Sequence, residues 1–482
     1  MLPAFVAAYL LISIGIGAIA ARRVNNTTDF ALAGRSLPLA VVIATTFATW
    51  FGSETVLGVP SKFVEGGVDE TLPDPWGTSM ALILVGMFLA RPLYRMTLLT
   101  IGDFYRVRYG RAVETIASVS IAISYIGWVA AQVTAMGLVF SLLMGDWIDH
   151  QQGMILGTAV VLVYTVLGGM WSVALTDFIQ MGLIIIGLAA IAWIAGDMAG
   201  GAGAVVSHAS EMGLLEWKLP ESGKDQLFLL SAVLTLMLGS IPQQDVFQRV
   251  MCAKNEQVAS WGPIIGGLSY LAFSTLPMFI VVASLMVMPE RSEELLQQDS
   301  QLVLPTFVIE HMNDALKVLF FGALLSAIMS TASATILAPS TILVQNIFKE
   351  LWPGMTDRQE LRLMRLTVFA VAVCVLVFAL WKEGTPIYEL VESAYEATIV
   401  AAFVPLVWGV YWKRATPRGG LWSAILGLAV WMFFLATPYF MERPLAEEFP
   451  GVLAGLVAAI LGMIVGSLAD KSPLTVNAEA TS

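Results

Sequence analysis

The sequence predicts an all-α polytopic membrane protein, one domain of thirteen transmembrane helices, and three observations carry that prediction. Of 482 residues, 57% are hydrophobic and 13% charged, with a mean hydropathy of +0.79, too apolar for a water-soluble globule. Apolar runs long enough to cross a bilayer, about 20 residues each, succeed one another with short polar interruptions. Two of the runs are broken at corresponding places, which is the pattern of an inverted repeat with discontinuous first helices.

The spans fall near 4–21, 37–61, 76–96, 114–144, 152–170, 176–196, 226–247, 258–288, 305–346, 364–381, 386–412, 420–437 and 448–469. The first resembles a signal peptide in length, but no basic stretch precedes it and Arg22 and Arg23 follow, so it reads as a peripheral first helix. The ninth exceeds one straight crossing and is expected to begin outside the bilayer. Five spans over 37–196 form the first repeat and five over 226–412 the second. Two peripheral helices over 420–469 and a short cytoplasmic tail, 470–482, complete the chain.

Orientation follows from the cations, which cytoplasmic segments retain. An external N-terminus puts Arg22, Arg23, Arg35, Arg91, Arg95, Arg106, Arg108 and Arg111 on the inner side, with Arg249, Lys254, Lys349 and Arg358. Arg362, Arg365, Lys413, Arg414, Arg418 and Lys471 join them, while the outer segments 66–75, 289–299 and 441–450 are acid-rich. The chain is therefore expected in the plasma membrane, N-terminus outside and C-terminus cytoplasmic.

Several classes are excluded. A formal charge of −11 without a basic stripe offers no nucleic-acid footprint. Cys252 and Cys374 are too isolated to suggest a disulfide or a metal site, and His150, His208 and His311 fall in or beside loops rather than at the midplane. No HExxH, GxSxG or phosphate-cradling loop is present, so no enzyme is indicated.

The second span, LPLAVVIATTFATWFGSETVLGVP at 37–60, carries Thr45, Thr46, Thr49, Gly52, Ser53, Glu54 and Thr55 at the depth that should be driest. Irregular backbone and polar groups persist there only against protein or a watery cavity, so this is a broken helix lining a site. Its counterpart is LMLGSIPQQDVFQRV at 236–250, interrupted by Gly239, Ser240 and Pro242 and followed by Gln243, Gln244 and Asp245. The ninth span, GALLSAIMSTASATILAPSTI at 322–342, places Ser326, Ser330 and Ser333 at helical spacing. Small residues serve close packing, but Ser330 and Thr331 with carbonyls freed at a break also make an oxygen shell for a hard cation such as Na⁺.

Asp177, in GGMWSVALTDFIQ at 168–180, is either a helix cap or an ion-pathway carboxylate. Glu54 and Asp245 flank the two breaks, and Glu392, Tyr395 and Glu396 add acids and an aromatic ring to the eleventh span. Cations are scarce at that depth, so the expected partner is an imported ion, a proton or a cationic group of a substrate. Trp50 is a packing residue or an aromatic face for such a cation.

Together, TTFATWFGSETVLG, GGMWSVALTDFIQ, FQRV and SAIMSTASATIL resemble the sodium:solute symporter family over about residues 30–420, most closely its choline-transporter branch. The resemblance implies a LeuT-like fold and a Na⁺ site of the Ala48, Phe51 and Ala327 carbonyls with the Ser330 and Thr331 hydroxyls. A second Na⁺ site in some members matches Asp177 and Ser333, whereas Ala334 does not fit it. Of the aromatic cage of the choline branch, Trp50 matches one member, but Gln243 and Thr78 stand where two other rings are found. Asp245 and Glu54 could hold an amine instead through charge-assisted hydrogen bonds.

The expected function is a Na⁺-coupled symporter importing a small organic solute through the lipid bilayer by alternating access. The favoured solute is an amine or quaternary ammonium, because an anion would need Arg or Lys beside Gln243, Asp245 and Glu54 and none is evident. Proline, pantothenate, a monocarboxylate or a sugar are the alternatives, and a channel or membrane sensor on the same fold is the reading from another class.

Overall fold

A computed structural model describes residues 2–439, 441 and 444–470. The expected tail beyond Asp470, with Lys471, lies outside the described residues, as do Glu442 and Arg443 of the acid-rich segment at 441–450. Among the described residues the secondary structure is helical apart from one isolated bridge.

Helices α1 (Leu2–Ala21) and α2 (Thr27–Leu32) precede a bent pair, α3 (Leu39–Trp50) and α4 (Glu54–Gly66), which meet at 58°. Next come α5 (Asp69–Arg95), the short α6 (Ile101–Tyr109), α7 (Arg111–Met144) and α8 (His150–Met198). After α9 (Ala202–Glu211), the second interrupted span comprises α10 (Gly223–Gly239) and α11 (Gln244–Met251), and α12 (Glu256–Val287) follows. Then run α13 (Pro289–Gln298), α14 (Val303–His311), α15 (Asp314–Leu351), α16 (Asp357–Trp381), α17 (Ile387–Tyr411), α18 (Pro417–Tyr439) and α19 (Gly451–Ala469).

Polar residues start the long helices, where the first amides have no intrahelical acceptor. Asp149, Asn255, Asn313 and Thr356 each accept the N–H three residues ahead, and Asp149 and Thr356 complete capping boxes with Gln152 and Gln359. These caps fix where α8, α12, α15 and α16 begin.

Among the described residues, ten helices are long and apolar enough to cross a membrane, or eleven when the α3–α4 pair counts as one span. The sequence reading gave thirteen, and two places account for the difference. Helix α1 runs over 20 residues, and only its Ala7–Ala21 part enters that count, as a shorter apolar helix among the described residues. The spans expected at 152–170 and 176–196 are run together in the 49-residue α8, two helices joined across a kink at Gly169 and counted as one crossing. At 1.5 Å per residue that is about 74 Å, far beyond a hydrocarbon core of about 30 Å. It is divided at Gly169, whose φ of 50° and ψ of −139° break the helical path. The ninth run also divides, because His311 ends α14 before Asp314 starts α15.

The central element is α15, buried continuously from Phe320 to Ile342 and packed between α7 and α8, while α18 and α19 pack on each other at the periphery. The approaches to the two breaks are tied together. Leu37 N–H donates to Cys252 O at 3.0 Å and Lys254 N–H returns to Leu37 O at 3.0 Å. Below them α2 is wedged against α8 and α16. Phe30 is fully buried against Gly169, and Thr27 donates through N–H (3.1 Å) and hydroxyl (2.6 Å) to Asp357 Oδ1.

Gly169 meets both conditions that exclude a side chain: a positive φ, and a Cβ position 2.4 Å from Phe30 O. Gly169→Ala is expected to lower the melting temperature of the purified protein in a fluorescence thermal scan, since the left-handed backbone alone costs about 1–2 kcal/mol. An unchanged transition would show that the α2–α8 wedge tolerates displacement.

Candidate functional site

The first break is built by side chains from other helices. Helix α3 ends at Trp50, and Phe51, with φ −86° and ψ 70°, turns the chain out of helical geometry. The freed Ser53 N–H donates to Gln132 Oε1 at 2.9 Å, and Gln132 Nε2 donates to Glu54 Oε2 at 2.7 Å. One amide on α7 therefore satisfies the unwound backbone and the buried carboxylate at once. The second carboxylate oxygen, Glu54 Oε1, accepts from Trp128 Nε1 at 3.0 Å. Gly52 is required by the crowding, because a Cβ there would lie 2.5 Å from Glu54 Oε2 and 2.8 Å from Thr331 Oγ1.

Above this junction four aromatic rings converge. Trp50 and Trp128 stand 5.2 Å apart between centroids, Trp128 and Tyr395 5.6 Å, Trp50 and Tyr395 6.2 Å, and Tyr125 and Trp128 6.1 Å. Asp245 closes one edge, accepting from Tyr125 OH at 2.5 Å and from Trp50 Nε1 at 3.2 Å. Glu54 stands at the other through Trp128. The sequence reading missed Trp128, Tyr125 and Gln132, although residues 125, 128 and 132 recur at i, i+3 and i+7, the spacing of a single helix face. It also took the aromatic surroundings of Trp50 to be depleted; rings from α7 and α17 supply them.

Gln243 and Thr78 do not join the rings directly. Gln243 Nε2 donates to Ser124 Oγ at 3.0 Å. Thr78 Oγ1 donates to Asp74 Oδ1 at 2.5 Å, which also receives Tyr270 OH at 2.6 Å, while Tyr270 OH and Thr55 Oγ1 are 2.9 Å apart. Asp74 was read as part of an acidic outer segment, yet it is 3% exposed and hydrogen-bonded into this network. The eleventh-span group splits: Tyr395 turns to the rings, whereas Glu396 accepts from Trp431 Nε1 at 2.9 Å and lines, with Glu392, a separate cavity against α18.

Arg249 corrects the charge balance. Counted among the inner-side cations, it is 1% exposed and lies inside the protein. It donates through NH2 to Thr49 Oγ1 at 2.5 Å and through NH1 to Asp245 O at 3.0 Å, within electrostatic reach of both Asp177 and Asp245. The expectation that no Arg or Lys stands near Asp245 is overturned. Arg249 belongs to α11, which follows the break and is buried throughout from Gln244 to Met251.

Asp177 gathers hydroxyls from two other helices: Thr45 Oγ1 donates to its Oδ2 at 2.5 Å and Ser330 Oγ to its Oδ1 at 2.6 Å. Thr331 Oγ1 reaches Ala48 O at 3.5 Å, so the broken span and α15 touch where the oxygen shell was expected. Ser333 takes a different partner from the one expected. Its hydroxyl donates to Ser330 O at 2.9 Å along its own helix. Hydroxyls, carbonyls and one carboxylate in a dry interior are the donor set a hard monovalent cation would use.

A model of the sodium:solute symporter family matches residues 30–427. The chain is 26% identical to the high-affinity choline transporter 1 of Drosophila melanogaster over 442 residues, covering 88% of this chain and 69% of that protein. It is also 26% identical to the human high affinity choline transporter 1, covering 93% and 79%. With the high-affinity proline transporter PutP of Bacillus subtilis it shares 24% identity over 95% of this chain and 96% of that one. Among solved structures, a Na⁺-coupled sialic acid symporter in a substrate-bound outward-open state matches with a TM-score of 0.84 at 18% identity, covering 98% of both chains. The fold is thus that of this symporter.

Arg249→Met removes the buried cation facing Asp177 and Asp245, and breaking such a balance costs on the order of 3 kcal/mol. A lowered melting temperature, partly recovered in the Arg249→Met, Asp177→Asn double variant, is expected in a thermal scan. A wild-type transition in the single variant would show that the charge is dispensable.

Proposed function

Because this chain belongs to the sodium:solute symporter family, we propose that it imports a small organic cation, an amine or quaternary ammonium, together with Na⁺ by alternating access. The observation that carries this reading is the Trp50, Trp128 and Tyr395 cluster edged by Glu54 and Asp245 between the two helix breaks. Each aromatic face contributes about 0.5–2 kcal/mol to a cation, toward the upper end when water is excluded. The rings touch one another, so a bound ammonium separates them, and its binding is coupled to movement of α3 and α4 against α7.

Na⁺ is assigned to the Ala48, Phe51 and Ala327 carbonyls with Ser330 and Thr331, and support comes from the Thr331–Ala48 contact. A further Na⁺ at Asp177 draws support from its Thr45 and Ser330 partners rather than from Ser333. Trp50 is two residues from Ala48 and next to Phe51, so an ion that orders the break also orders the substrate face. This makes the two ligands reciprocal effectors, which is the thermodynamic content of symport. Glu54 and Asp245 supply negative potential, and Gln243 and Thr78 act from behind, through Ser124 and Asp74. The reading includes thirteen crossings in two inverted five-helix repeats, with the N-terminus outside.

A second reading has one observation in its favour. Arg249 lies beside Asp245 with its Nε buried and, among the described residues, unbonded, a feature suited to the carboxylate of a zwitterion such as proline, the solute named for PutP.

Uptake into proteoliposomes under an imposed inward Na⁺ gradient distinguishes the two. Uphill accumulation of choline, abolished by dissipating the gradient, is expected; accumulation of proline without choline would establish the zwitterion reading. Trp128→Leu is expected to raise the choline KM by about tenfold, equivalent to about 1.4 kcal/mol of lost cation contact. Ser330→Ala with Thr331→Ala is expected to abolish the Na⁺ dependence of uptake. Unaltered dependence would remove these hydroxyls from the ion site.

A further inference from the structure

A cavity of about 560 Å³ lies at the end of α4 farthest from Trp50, between that helix, the segment joining α13 to α14, and the start of α17. Its charged lining is Lys62, Glu65, Asp299, Glu383 and Glu389, with His150 beside them, so acids outnumber the one ammonium. Such a field favours cations and repels anions. Tyr388 forms part of the wall and is 7% exposed.

The Tyr388 ring already faces a cation. Lys62 Nζ stands 5.8 Å from its centroid, on a flexible stem and only 3.7 Å from Glu65 Oε2. A half-buried lysine so placed is a tethered cation on an aromatic face, and a free cation displacing it adds one positive charge to a cavity in which four acids face one ammonium. Tyr388 also points the way inward. It packs on Gly58, whose Cβ position is 3.4 Å from Tyr388 Cβ, one helical turn beyond Glu54. On α17 it precedes Tyr395 by two turns, about 10 Å of rise.

We propose that this cavity is a second binding site for organic cations, in which the solute displaces Lys62 from Tyr388 before passing to the Trp50, Trp128 and Tyr395 cluster. The site rests on the cationic-solute reading, under which this end of α4 faces outward. Lys62 acts as an internal competitor, so removing it and removing the ring have opposite effects.

In proteoliposomes, Tyr388→Leu is expected to raise the choline KM about fivefold and Lys62→Met to lower it by a similar factor, the size of one exposed cation contact. Tyr388→Phe keeps the face and is expected to retain the wild-type value. If Lys62→Met raises KM as Tyr388→Leu does, the pair is a structural contact and the proposal fails. Occupancy is read separately from transport by NMR of reductively ¹³C-dimethylated protein, the Lys62 resonance being assigned by its loss in Lys62→Met. Tetramethylammonium chloride should shift that resonance away from its ring-shielded position, and equal NaCl should not. The same shift in Trp50→Leu would show that it arises at Tyr388 rather than at the inner rings. No shift with tetramethylammonium overturns the second site, whereas a shift in a protein that accumulates no amine would refute the cationic-solute reading and leave the site standing.

Discussion

The arrangement depends on satisfying an unwound stretch of backbone where there is no water to do it. A buried amide or carboxylate left without a partner costs about 1–3 kcal/mol or more, so a break in a membrane helix survives only if its neighbours provide hydrogen bonds. Here Gln132 meets that need, accepting from Ser53 N–H and donating to Glu54, while Trp128 covers the other carboxylate oxygen. Both residues sit on α7, so any movement of α7 against the break must exchange these hydrogen bonds for others. Gly52 allows the approach, and the same geometry brings Thr331 of α15 against Ala48.

A second constraint is electrical. Glu54, Asp74, Asp177 and Asp245 are all buried, and Arg249 is the cation buried with them. Hydrogen bonds from Trp, Tyr, Thr, Ser and Gln spread the negative charge of these acids, but Arg249 offsets only part of it. On the cation-symport proposal, the acids that Arg249 does not balance surround the aromatic faces and the hydroxyl–carbonyl shell. On that proposal, ion and solute each relieve the imbalance and each favours the arrangement that admits the other.

Much of this was legible in the sequence. Composition and the polar residues of 45–55 and 239–245 identified a membrane protein with two broken helices, because lipid tolerates such groups only at a site. Asp177, Ser330 and Thr331 stood out as polar residues in apolar helices, and they do gather near Ala48. Trp128 did not stand out, since one tryptophan in a long apolar helix resembles packing until its neighbours are known. Arg249 and Asp74 were misplaced for a related reason: near a span boundary, hydropathy cannot separate a charge in water from one folded inward.

The sequence by itself determined the solvent, the helical class and the polar weak points of the helices, because these follow from transfer free energies and periodicity along the chain. Only the tertiary structure decided which helix answers each break, that Ser330 rather than Ser333 meets Asp177, and that rings from three helices enclose one place. Those outcomes depend on contacts between residues hundreds of positions apart, such as Thr331 with Ala48 or Trp50 with Asp245. Local pattern carries no record of such pairings; packing selects them, through the need to leave no buried polar group unmatched.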